Sequence, residues 1–148
     1  KYYLALTIWS PGTENWTINK KLARIENAKN ENKVVVDEIW WQKAITHFKT
    51  IKSGIFWKYS LLECKLETWR MHQIRIHLAS VWFPVVWDIV YGNRAINGNL
   101  HRKIKINRQL LHCYNYSFKN LSSRKTLVFQ SKFPEDFEKI IWFTPKNI

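Results

Sequence analysis

Apolar residues along the chain fall into short runs that predict strands more often than helices. Each run is either continuous and rich in β-branched or aromatic side chains, or alternates apolar with polar residues. The predicted strands are residues 2–8, 44–51, 59–66, 111–118 and 126–130. Ser53-Gly54 lies between the second and the third of these strands, which indicates a hairpin.

Two segments instead have the pattern of helices. In residues 71–80, Ile74 and Leu78 lie four positions apart and would share one helix face. The second helix follows Ser131, because Pro134 suits a first helical turn and the two acidic residues after it favour the positive end of the helix dipole. Both helices are short, so strands dominate the pattern.

The polar stretch over residues 19–33 is rich in lysine, which predicts a solvated loop rather than a strand. Across the whole chain strands outnumber helices, and neighbouring strands are joined by short turns. The pattern therefore predicts an α+β fold built on a largely antiparallel sheet. A length of 148 residues suits one domain or a piece of a larger one.

Composition narrows the class of protein. The chain has 24 Lys and Arg against 11 Asp and Glu, a net charge of +13, and its 46% hydrophobic content is enough for a packed core. Such a charge indicates a polyanionic partner, most often nucleic acid. Two cysteines are too few for a disulfide framework, and no apolar run is long enough to cross a membrane. With no signal peptide in the sequence, we expect a protein of the cytosol.

Candidate chemistry is concentrated in residues 67–78, which read ETWRMHQIRIHL. On the predicted helix, His72 and Arg75 share one face, and Gln73 and His77 share the next. Arginine and amide donors at a helix start suit RNA phosphates or base edges, although a solvated basic face has the same composition. His72 and His77 point about 140° apart, so they do not predict a metal site.

The segment resembles the T-G-R-x-H-Q-I-R-x-H motif of the RluA-like pseudouridine synthase family, which isomerises uridine in structured RNA. Residues 1–5 resemble the family's K-x-Y-x-A strand, and residues 42–46 resemble its K-x-A-x-T strand with Gln42 in place of lysine. Three later blocks resemble the P-x-x-G-D-x-x-Y-G loop, the R-Q-x-L-H strand and the P-x-D-F helix: residues 84–92, 108–112 and 134–137. Six blocks in the same order carry the resemblance.

The resemblance implies a mixed, mainly antiparallel β-sheet flanked by helices, and an enzyme that needs neither cofactor nor metal. The target uridine must leave its stack and enter a pocket. Tyr3 is then the residue that stacks on the uracil and assists proton removal at C5. Arg75 is the residue that keeps a nucleophilic aspartate ionised and orients it.

Four further positions are implied to bind RNA: Arg70, His72, Gln73 and His112. Each has a structural alternative. Arg70 could lie on a solvated surface, and His72 and Gln73 could cap the helix or form hydrogen bonds in the core. His112 could be a buried imidazole with its hydrogen bonds satisfied. A basic run formed by residues 101–103, Lys105 and Arg108 would suit RNA phosphates or form a solvated face. The expected partner is ribosomal or transfer RNA, bound by a monomer.

The family's nucleophilic aspartate has no counterpart in this chain. In the family it lies in an R-L-D-x-x-T-S-G segment upstream of the K-x-Y-x-A strand, and none of Asp37, Asp88 and Asp136 has that context. We therefore expect residues 1–148 to be the C-terminal portion of a catalytic domain, inactive without the segment upstream of Lys1. The alternative is a non-catalytic RNA-binding fragment or a decayed paralogue.

Tryptophan and glycine occur in unusual numbers, nine and four. Average glycine usage of about 7% would give roughly ten. Four tryptophans stand where the family has glycine, at positions 9, 69, 82 and 87, and four others lie at turn-like places, at positions 16, 40, 41 and 57. We hypothesise that these eight and the ninth, Trp142, are all UGA codons, read as tryptophan in some bacterial codes and as glycine in others. The alternative is a tryptophan-rich protein that stacks RNA bases on its indoles.

Overall fold

The computed structural model describes residues 1–9, 11–26, 32–37, 42–56, 58–98, 106 and 108–141. Its strands are β1 (Tyr2–Ile8), β2 (Asn15–Glu26), β3 (Asn32–Val36), β4 (Gln42–Ile55), β5 (Tyr59–Leu66), β6 (Leu111–Lys119) and β7 (Thr126–Gln130). Two helices are labelled α1 (Gln73–Ala79) and α2 (Glu135–Ile141), and residues 94–98 are also helical.

The strands form one seven-stranded sheet in the order β3-β2-β4-β5-β1-β6-β7. Each neighbouring pair in that order is antiparallel. The predicted α+β class is confirmed, as are the five predicted strands, both helices and the β4–β5 hairpin.

The loop predicted over residues 19–33 is wrong, because β2 and β3 occupy most of that range. Ile18 and Leu22 on β2 are buried. The lysines between and after them obscure the alternation of apolar and polar residues that would predict a strand. β3 is one of the two edge strands of the sheet and β2 is its neighbour. Lysine is common near sheet edges because it discourages pairing with other chains.

The helices pack against opposite faces of the sheet. Leu78 of α1 lies in one core cluster with Ala5, and Phe137 of α2 lies in another with Leu4. Successive side chains of a strand point to opposite faces, so Tyr3 lies on the same face as Ala5 and α1. The α1 face therefore carries the motif residues.

Some predicted features fall outside the described residues: the basic run except Arg108, and the tryptophans at positions 40, 41, 57 and 142. Within the described part of the chain, no helix is long and apolar enough to cross a membrane. No cluster of three or more His, Cys, Asp or Glu side chains in that part could hold a metal ion.

Three tryptophans have a left-handed backbone: φ is 66° at Trp9, 68° at Trp82 and 62° at Trp87. They are half of the six non-glycine residues with positive φ in the described ranges. Trp16 is different, since it lies in β2 with its ring stacked on Phe48 at a centroid distance of 4.2 Å. The turn-like position predicted for Trp16 is therefore wrong.

Replacing Trp82 with glycine should raise the free energy of unfolding by about 0.5–1 kcal/mol. The left-handed region costs an L residue about 1–2 kcal/mol, which exceeds the entropy cost of glycine, about 0.5–1 kcal/mol. Little packing is lost, because Trp82 is 85% exposed. Urea unfolding measures the change. Trp82→Ala is the control, and an equal gain from alanine would show that the backbone is not the cause.

Candidate active site

Polar side chains of helix α1 point into the protein rather than toward solvent. The helix begins at Gln73, after His72 in a left-handed conformation with φ 55°, a region in which histidine is enriched. Gln73 is 2% exposed, Arg75 7% and His77 0%. Burying polar groups is unfavourable unless they are hydrogen-bonded, so the partners of these residues define the site.

Gln73 and His77 meet at Thr46 of β4, which confirms that they share a helix face. Gln73 Nε2 donates to Thr46 Oγ1 over 3.0 Å, and His77 Nδ1 lies 2.9 Å from the same oxygen. Gln73 Oε1 accepts from the Thr68 hydroxyl and from the Arg70 backbone N–H, each over 3.0 Å. The Gln73 amide thus ties α1 to β4 and to the turn before the helix.

His77 combines full burial with an incomplete set of hydrogen bonds. Its Nε2 has no hydrogen bond of good geometry among the described residues. Burial lowers the pKa of His77 to about 4; a contact with the Lys20 backbone partly opposes this shift, and the charge of Lys20 adds to it. The imidazole is therefore neutral at physiological pH.

Arg75 forms a buried, bidentate ion pair with Asp88. Its Nε donates to Asp88 Oδ2 over 2.6 Å and its Nη2 to Oδ1 over 2.8 Å. Burial alone would raise the pKa of Asp88, but Arg75 and the backbone N–H groups of Tyr91 and Val90 lower it below its usual value. This pair joins α1 to the loop after it, where a Cβ at Gly92 would overlap the Asp88 carbonyl.

His72 and Arg75 meet at the Tyr91 ring, which confirms that they share a helix face. His72 Nδ1 lies 3.1 Å from Tyr91 Oη, and the Arg75 guanidinium carbon lies 4.9 Å from the ring centroid. Burial and then the charge of Arg75 lower the pKa of His72, partly opposed by Asp88. The sequence pattern does not predict Thr46, Asp88 or Tyr91 as partners of the helix, although all three lie in the resembling blocks.

Tyr3 lies in the middle of the sheet, opposite Cys64 of β5 and Cys113 of β6. Burial raises the pKa of Tyr3, and Cys113 adds to the rise, so the phenol stays protonated at neutral pH. The half-exposed indole of Trp69 lies beside it, with ring centroids 6.4 Å apart. The Lys1 ammonium lies 2.8 Å from the centroid of the Trp69 ring.

The structure does not bring His112 together with Tyr3. His112 pairs with Leu4 in the β1–β6 register, and Leu4 faces α2 rather than α1. Burial and the charge of Arg108 lower the pKa of His112. Arg70, in contrast, is exposed in the turn directly after Trp69.

Two of the aspartates that the sequence offers are already bound to arginines. Asp88 is paired with Arg75, and Asp136 accepts from Arg108, with Nε and Oδ2 2.6 Å apart. Both carboxylates have structural roles in joining elements. Two of the expected catalytic groups, Arg75 and Tyr3, are therefore present among the described residues. Asp88 and Asp136 are already engaged in ion pairs.

Comparison with known proteins identifies the chain's relatives. The family described as RNA pseudouridylate synthase matches residues 1–80. An uncharacterized RNA pseudouridine synthase of Bacillus subtilis (strain 168), YhcT, is 32% identical over 138 residues, which cover 93% of this chain and 42% of YhcT. Ribosomal large subunit pseudouridine synthase D of Neisseria meningitidis serogroup A is 33% identical over 116 residues, 76% of this chain and 30% of the relative. The chain spans less than half the length of these relatives.

A solved structure has the same fold. Human RNA pseudouridylate synthase domain containing 1 superposes with a TM-score of 0.75 at 19% sequence identity, covering 90% of this chain and 54% of that one. The resemblance of the motif blocks, the family match and the shared fold agree. The chain belongs to the RNA pseudouridylate synthase family.

Proposed function

We propose that this chain is part of an enzyme that converts uridine to pseudouridine in ribosomal or transfer RNA, in the cytosol. The observation that carries the proposal is the match of 93% of the chain to a relative named as an RNA pseudouridine synthase. The net charge of +13 supports a polyanionic substrate. We also propose that the chain acts as a monomer and forms the C-terminal portion of the catalytic domain.

The reaction is an isomerisation, so its atoms balance without a cofactor. The N-glycosidic bond breaks, the uracil rotates, and a bond forms between C5 and the sugar. The proton on C5 is lost and N1 gains one. The base must first leave its stack and be held in a pocket.

In this proposal Tyr3 stacks on the flipped uracil. It also assists the removal of the proton from C5, but another group must accept that proton. Its raised pKa supports this limit, because a protonated phenol is a weak base. Arg75 orients the nucleophilic aspartate, which we expect upstream of Lys1. Since its Nε and Nη2 are bound to Asp88, this contact would use Nη1.

We assign RNA contacts to Arg70 and His72, and positioning roles to Gln73 and His112. Exposure of Arg70 beside Trp69 supports the first assignment. The buried hydrogen bonds of Gln73 support its role in holding α1 on β4. His112, on the opposite sheet face, would stabilise β6 and the segment before α2.

The longer protein that includes the segment upstream of Lys1 should form pseudouridine in ribosomal or transfer RNA transcripts. Tyr3→Phe should keep stacking and retain part of the activity, whereas Tyr3→Ala should lose it. Pseudouridine is measured by nucleoside mass spectrometry after RNA digestion. Tyr59→Phe, on the opposite face of the sheet, is the matched control and should leave activity unchanged.

A different outcome would favour the alternative function. RNA binding that weakens with salt, without any pseudouridine from the longer protein, would indicate a non-catalytic RNA-binding protein. Pseudouridine formation in Tyr3→Ala at the unmodified rate would remove Tyr3 from the reaction.

A further inference from the structure

We propose that positions 9, 82 and 87 carry glycine in the protein made by its own organism, because UGA codons at these positions are read there as glycine. The tryptophans at these positions have φ values between 62° and 68°. A bulky residue with positive φ is a genuine outlier, whereas glycine adopts this conformation readily.

Position 82 closes helix α1 in a motif that usually requires glycine. The Phe83 N–H donates to the Leu78 carbonyl over 3.0 Å, and the Trp82 N–H donates to the Ala79 carbonyl over 3.2 Å. These two hydrogen bonds, together with the left-handed backbone of Trp82, form a Schellman motif. Glycine is the usual residue at this left-handed position. Phe83 and Leu78 also pack in one cluster, as the motif predicts.

Position 87 is the third residue of a tight turn. The Asp88 N–H donates to the Val85 carbonyl over 3.2 Å, so residues 85–88 form a four-residue turn. φ is positive at residue 87 but not at residue 86. That combination is a type II turn, whose third position favours glycine for steric reasons.

Packing does not account for the strain at the exposed positions. Trp82 is 85% exposed and Trp9 is 54% exposed, so their indoles gain little from burial. Trp87 lies against the α2-side core cluster, and its backbone N–H donates to Asn97 Oδ1 over 2.8 Å, a bond that glycine would also make. The backbone at all three positions is the one that glycine would select.

The same codon at position 69 would open the proposed uracil site. The Trp69 indole lies against Tyr3 and under the Lys1 ammonium. Glycine at position 69 would uncover the ring of Tyr3 for a base and would leave Lys1 with one of its two ring contacts, that with Tyr116. This consequence rests on the proposed function, whereas the inference at positions 9, 82 and 87 does not.

The decisive experiment combines the gene sequence with peptide masses of the protein purified from its own organism. We expect UGA codons at positions 9, 82 and 87, and peptides whose fragment masses show glycine there. UGG codons, or UGA codons in a protein whose peptides contain tryptophan, would overturn the inference.

Two recombinant forms of the full protein supply a second readout. Glycine at positions 9, 82 and 87 should raise the melting temperature by about 2–4 °C or more, while alanine at the same positions should not. A glycine form that melts no higher than the alanine form would count against the inference. Trp69→Gly should increase the rate of pseudouridine formation, and an unchanged rate would refute only the consequence at position 69.

Discussion

Replacing Arg75 with methionine should lower the free energy of unfolding by about 3–5 kcal/mol. Methionine keeps much of the side-chain volume but leaves the Asp88 carboxylate, which is 0% exposed, without its cation. An unpaired carboxylate in the interior costs far more free energy than the intact ion pair contributes to stability. Chemical denaturation of the parent and the variant at pH 7 measures the difference.

The chain contains its own control for burial, because a second arginine–aspartate pair has similar geometry near the surface. Arg108 Nε lies 2.6 Å from Asp136 Oδ2, but the two side chains are 42% and 25% exposed. Arg108→Met should therefore cost less than about 1 kcal/mol. Equal losses in the two variants would show that burial does not set the strength of these pairs.

A second substitution at Arg75, to alanine, tests the proposed mechanism. If Arg75 orients the nucleophilic aspartate, Arg75→Ala in the longer protein should abolish turnover at temperatures where it is folded, while most RNA binding remains. Asp88→Asn is the comparison, because it removes the charge partner but keeps an acceptor for the Val90 and Tyr91 N–H groups. Equal turnover in the two variants would limit Arg75 to holding the loop in place.

Much of the sheet could be predicted from local patterns, and the failure over residues 19–33 has a clear cause. β1 is a continuous apolar run because its buried residues pack on both sheet faces, so its pattern is strong. β3 is an edge strand and β2 is its neighbour, and alternate residues of β2 are exposed. Their lysines give the pattern of a loop, whereas β2 is a strand because it pairs with β4, and β3 because it pairs with β2.

The sequence predicted which site residues share a helix face, but not the residues that those faces contact. The spacing of His72, Gln73, Arg75 and His77 correctly gave two shared faces. The partners of those faces come from β4 and from the loop after α1, so they depend on tertiary packing that spacing does not contain. The separation of His112 from Tyr3 depends on the β1–β6 register, which a single sequence does not specify.

Lowering the pH from 6.5 to 4 should remove about 3 kcal/mol of stability through His77 alone. Burial lowers the pKa of His77 to about 4 in the folded protein, while the unfolded chain has the ordinary value of about 6.5. Between these values the unfolded state binds one more proton than the folded state. Stability therefore rises with pH through this window and is complete above about pH 6.5.

Burial is the main reason why His77 resists protonation, and the hydrogen bonds around Thr46 act in the same direction. Thr46 Oγ1 already accepts from Gln73 Nε2, so its own proton is available to His77 Nδ1. A protonated His77 would bring a second donor to this oxygen and would carry a charge into the core near Lys20. Both effects oppose the charged form.

His77→Gln tests this account, because glutamine can bond to Thr46 but does not titrate. The variant should lose about 3 kcal/mol less stability than the parent between pH 6.5 and pH 4, as measured by urea unfolding at each pH. Measuring both proteins at pH 7 as well separates the titration from the packing cost of the substitution, because that cost is the same at every pH. An NMR titration that places the His77 midpoint near 6.5 would contradict the prediction, because no proton would then be linked to unfolding at this site.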